Sequence, residues 1–99
     1  MTVPLSGGPG AWEAFKQVHP PAPEKPITQF VHPGWDWIYV ISGRMRLLLA
    51  DEDLIIEAGE AAEFDTRVPH GFGNPGPDLL EVLCLFNVQG AKVHTRASV

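Results

Sequence analysis

Cysteine is almost missing from this chain: Cys84 is the single one in 99 residues. One thiol excludes an internal disulfide. Cys84 falls in the apolar run from Leu79 to Phe86 and reads as a small buried hydrophobe. Positive charge is also scarce. Seven Lys and Arg stand against twelve Asp and Glu, for a formal net charge of −5. That balance repels a phosphate backbone, so no direct nucleic-acid partner is expected. No apolar stretch is long enough to span a membrane, and residues 1–10 lack a basic, apolar leader. The expected location is cytoplasmic. Nor is there a Ser-His-Asp order, a phosphate-binding loop, a dinucleotide glycine motif or a paired-cysteine motif. The length allows one hydrophobic core, which excludes functions needing two domains.

What the chain has is turn punctuation and β-formers. Gly and Pro number ten each. Residues 1–10, MTVPLSGGPG, read as a flexible N-terminal arm, and 11–99 as one domain. Residues 11–18 fit a short helix or a strand, and the strand-rich pattern downstream favours strand. The four prolines of 19–26 exclude regular structure there. Strands are then expected at Ile27–His32, Asp36–Ser42, Met45–Ala50, Leu54–Glu57, Ala62–Asp65, Val68–Gly73 and Leu79–Val88. The tail from Ala91 adds a possible edge strand. Turn signals recur about every eight to twelve residues, the signature of an antiparallel sandwich or barrel. The fold class is therefore all-β.

Two histidines fall on expected strands near polar partners. His32 precedes Asp36 by four positions, and His70 precedes Asn74 by four. A period of two puts each pair on one strand face, provided Pro33-Gly34 does not shift the register. A hydrogen-bonded interior role is the ordinary fate of such residues. Two imidazoles and one carboxylate also make a ligand set for Zn, Mn, Fe or Ni.

The spacing sharpens this. From His32 the chain runs H-x3-D-x6-G to Gly43, and from Gly59 it runs G-x5-D-x4-H-x3-N to Asn74, with fifteen residues between the two glycines. This resembles the two motifs of the cupin superfamily, over about residues 28–88. The wording HPGWDWIYVISGRMRLLL and GEAAEFDTRVPHGFGNPGP is similar to the cupin sensor domain of bacterial helix-turn-helix transcription regulators. The resemblance implies a small jelly-roll β-barrel with an axial ligand pocket. It also implies a metal site at His32, Asp36 and His70, but with departures. Phe30 stands where the motif has its first His, Asp36 stands for Glu, and Asp65 and Arg67 replace Pro and Gly. The site is then either a reduced two-His, one-carboxylate centre or an abandoned one.

The leading functional expectation is a sensor-like binding module for a small molecule. Its apolar pocket is expected from Phe30, Ile38, Val40 and Phe64, with Phe72, Leu83 and Leu85 beyond them. His32, Asp36 and His70 supply polar anchors, and Asn74 belongs to the pocket lining. The alternative is a metal-dependent oxygenase, isomerase or cyclase, and a third reading is a barrel packed by its own side chains. A divalent metal and no cofactor at all are equally open. Trp37 and Tyr39 alternate with Ile38 and Val40 and so face outward, where a second copy of the chain is the expected cover. Arg67 is either a mouth residue or the ion-pair partner of Glu63 or Asp65. Asp51-Glu52-Asp53 reads as a solvated turn rather than a calcium loop.

Overall fold

Alternation of apolar and polar residues builds this molecule from strands alone. The computed structural model describes residues 1–5 and 12–87. Its strands are β1 (Thr2–Pro4), β2 (Trp12–His19), β3 (Trp35–Ser42), β4 (Arg44–Leu49), β5 (Glu52–Glu57), β6 (Ala61–Asp65), β7 (His70–Gly73) and β8 (Leu80–Asn87). They form a five-stranded sheet in the order β1-β2-β8-β3-β6 and a three-stranded sheet in the order β5-β4-β7. Every pairing is antiparallel.

Register explains the core. Ile38 lies opposite Cys84 on β8 and Ala62 on β6, and Val40 lies opposite Val82. In the facing sheet Met45 lies opposite Ile56, and Leu47 opposite Leu54 and Phe72. Side chains opposite one another share a face, so these two sets meet between the sheets. Val40, Met45, Leu80 and Val82 are fully buried. The chain passes from one sheet to the other at Gly43, whose φ is +78°. A Cβ there would run into the Leu79 carbonyl oxygen.

The arm and one strand differ from expectation. Residues 2–4 of the N-terminal segment pair with β2 as an edge strand. Ile27–His32 does not form a strand; only Phe30 pairs, exchanging backbone hydrogen bonds with His70 at 2.8 and 3.0 Å. Pro26 and Pro33 bracket this segment, and neither can donate to a ladder. One edge of β7 is therefore met by a loop rather than by a full strand. The expected edge strand after Ala91 lies outside the described residues.

Candidate functional site

A cavity of about 620 Å³ is lined by residues of β2, β3, β4, β6 and β7. Ile38, Leu47, Phe64 and Phe72 give it an apolar body. Asp36 and His70 lie at one end, because Asp36 is opposite Phe64 on β6 and Phe86 on β8. The Pro-rich segment adds Pro20, Pro23 and Pro26 to the cavity lining.

His70 is 8% exposed. Its Nδ1–H donates to the Val68 carbonyl at 2.8 Å, so in the neutral ring Nε2 keeps a free lone pair. The Phe64 ring packs 5.3 Å from it and the His32 ring 5.0 Å, edge to face. His32 is exposed, and its ring also meets the Phe86 ring edge to face at 5.3 Å. Asp36 is half-buried. Burial pushes its carboxyl above the usual carboxylate range, and charge on His70 and His32 pulls it back. The three expected anchors lie near one another, but only Asp36 and His70 line the cavity, and His32 does not.

Among the described residues, no three His, Cys, Asp or Glu side chains are placed to hold an ion together. Phe30 accounts for part of this: the position that would bring another imidazole carries a phenyl ring, 61% exposed at the cavity mouth. His32 packs its ring against two neighbours, His70 and Phe86.

Three of the apolar residues expected in the pocket, Val40, Leu83 and Leu85, do not line the cavity. Leu83 and Leu85 lie opposite Tyr39 and Trp37, on the outer face of the sheet, and do not line the cavity. Leu80, Val82, Cys84 and Phe86 take the inner face instead. Val40 is fully buried in the filled part of the barrel and does not reach the cavity either. Asn74 lines the cavity as expected, with its amide held by backbone groups. Its Nδ2 donates to the carbonyls of His19 (2.9 Å) and Asp78 (2.8 Å), and its Oδ1 accepts from Gly76 N–H (2.8 Å). It is a clamp that closes the loop after β7 onto the end of β2. Phe30, Ile38, Phe64 and Phe72 line the cavity as expected.

Arg67 pairs with Asp65, holding that carboxyl down at about 2 through side-chain and backbone hydrogen bonds. It does not turn toward the cavity. Sequence reasoning missed Gln17, His19 and Lys25, which line the cavity away from Asp36. Gln17 and His19 share a strand face with Phe15, so period two was a usable signal. Lys25 sits in a proline-rich loop, where no periodicity exists to read.

Two sheets wrapped into a barrel, filled at one end and hollow at the other, define a small β-barrel of the double-stranded β-helix kind. The cupin-domain family profile matches residues 16–86. The chain belongs to the cupin family. No curated protein matches it by sequence. Solved structures match by fold. The protein TT1209 from Thermus thermophilus superposes with a TM-score of 0.74 at 19% identity, covering 88% of this chain and 81% of that one. An RmlC-like cupin from Methanocaldococcus jannaschii, described as a double-stranded β-helix, gives 0.73 at 18%, covering 88% and 78%. The cupin domain of an XRE family transcriptional regulator from Enterobacter cloacae gives 0.72 at 17%, covering 88% and 94%.

Proposed function

We propose that this chain is a ligand-binding cupin domain that holds a small organic molecule and works as a sensor-like module. The observation that carries the reading is the cavity of about 620 Å³, apolar along its body with Asp36 and His70 at one end. Binding sites for small molecules have this size and makeup. At that end Asp36 and the His70 Nε2 are hydrogen-bond acceptors, so they favour a ligand that presents a hydroxyl or amine. The similarity to the regulator's cupin domain supports the sensor role. The outward Trp37 and Tyr39 rings, stacked 6.1 Å apart with Leu83 and Leu85 opposite them, support pairing of two copies through that face.

The test uses 4-methylphenol, a neutral apolar body with one donor. Calorimetry is expected to show binding to the wild type and a loss of about tenfold in Asp36→Asn or His70→Gln. Equal affinity in all three proteins, or no binding to any, would overturn the reading.

A further inference from the structure

The cavity has a second polar end. Gln17 and His19 reach it from β2, where they lie opposite the inward Val82 and Leu80. Lys25 reaches it from the proline-rich loop. His19 Nε2 lies 2.9 Å from Gln17 Oε1. With that oxygen accepting, the two amide N–H groups of Gln17 remain to donate. No carboxylate pairs with Lys25 among the described residues. Asp36 is the one carboxylate among the residues lining the cavity, and it lies at the other end, beside His70. In a chain of net charge −5 this end is cationic, with Lys25 and Arg46 at its edge. Arg46 is already held by Asp53 at 2.8 Å, which leaves Lys25 as the cation to be met by a ligand.

The two ends are a short molecule apart. His70 and Phe72 share one face of β7, roughly 7 Å along the strand. The Phe72 ring then meets the His19 ring at 5.2 Å. Between the ends lie Phe64, Ile38 and Leu47. A donor-bearing head suits Asp36 and His70, an apolar body of about one ring suits the middle, and an anion suits Gln17 and Lys25. Placing the anion at the His70 end instead would set it against Asp36.

We infer that the cavity takes a hydroxyl-bearing aromatic carboxylic acid, its hydroxyl toward Asp36 and His70 and its carboxylate toward Gln17 and Lys25. This rests on the ligand-binding reading above. The test compares 3-(4-hydroxyphenyl)propanoate with its uncharged amide and with 3-phenylpropanoate by calorimetry at low salt. The hydroxy acid is expected to bind about tenfold tighter than either relative. Lys25→Ala is expected to erase its advantage over the amide and leave the amide unchanged. Asp36→Asn is expected to erase its advantage over 3-phenylpropanoate. Equal binding of acid and amide, or a carboxylate preference that survives Lys25→Ala, overturns the inference while 4-methylphenol binding still upholds the cavity. Failure of all three acid-series probes with 4-methylphenol bound overturns the inference alone. Failure of 4-methylphenol as well removes both.

Discussion

Cys84 is packed on the inner face of β8, opposite Ile38 and Phe15. Burial, with the Asp36 charge adding to it, pushes its thiol up to about 12 from an ordinary 9.0. At pH 8 that shift lowers the thiolate fraction about a thousandfold, and the thiolate is the reactive form. Alkylation by iodoacetamide at pH 8 should therefore be slower by at least two orders of magnitude in the folded protein than in denaturant. Comparable rates would place the thiol at the surface. The folded value lies above the unfolded one, so the proton is held more tightly in the folded state. Its contribution to stability is complete below about pH 9 and is lost as pH rises toward 12. Asn74 makes the opposite case, a buried polar side chain with three hydrogen bonds to the backbone. Asn74→Ala leaves the Gly76 N–H and two carbonyls short of partners. A loss of about 2–4 kcal/mol is expected from denaturant unfolding. The sequence placed Asn74 near the site but could not distinguish a ligand anchor from a loop clamp. That depends on which backbone groups surround it, and these come from residues 19, 76 and 78.

At the scale of strands and turns, two positions with positive φ make opposite predictions. Gly43 has φ +78° and no room for a Cβ beside the Leu79 carbonyl, so Gly43→Ala combines backbone strain with a clash. A loss of at least about 2 kcal/mol is expected. Ala50 is a non-glycine residue at φ 53° in the tight turn between β4 and β5. Ala50→Gly removes that strain and should stabilise by up to about 1 kcal/mol. Thermal unfolding of the pair decides it, since both substitutions moving stability in one direction would contradict these backbone assignments. Most strand positions were legible because turn residues divide the chain so regularly. The phase of β8 was the exception. Leu79 to Phe86 is apolar on both faces, so alternation gave little guidance. Glu81 was the one usable mark: paired with Lys16 at the surface, it shares its parity with Leu83 and Leu85. The Ile27–His32 strand failed for a different reason, since local β-propensity there was overridden by a proline at either end.

For the whole molecule, the five-stranded sheet carries apolar side chains on both faces, and only one face has the second sheet against it. The proposed pairing of two copies covers Trp37, Tyr39, Leu83 and Leu85. Light scattering should then give twice the chain mass, falling to the monomer value in a Trp37→Glu, Tyr39→Lys variant that keeps its β-sheet circular dichroism. A wild-type monomer would contradict that pairing. The barrel and its two spacing motifs could be read from His32, Gly43, Gly59, His70 and Asn74 alone. The size of the cavity and its second polar end could not, because they arise where β2, β7 and an irregular loop approach one another. This opening is proposed to receive a small molecule. The most direct measurement is a 4-methylphenol titration followed by amide chemical shifts in the assigned protein. Saturable changes centred on Phe64, His70 and Phe72, with Leu83 and Leu85 little affected, are predicted. Changes confined to the outer face, or none at saturating concentration, would contradict the account.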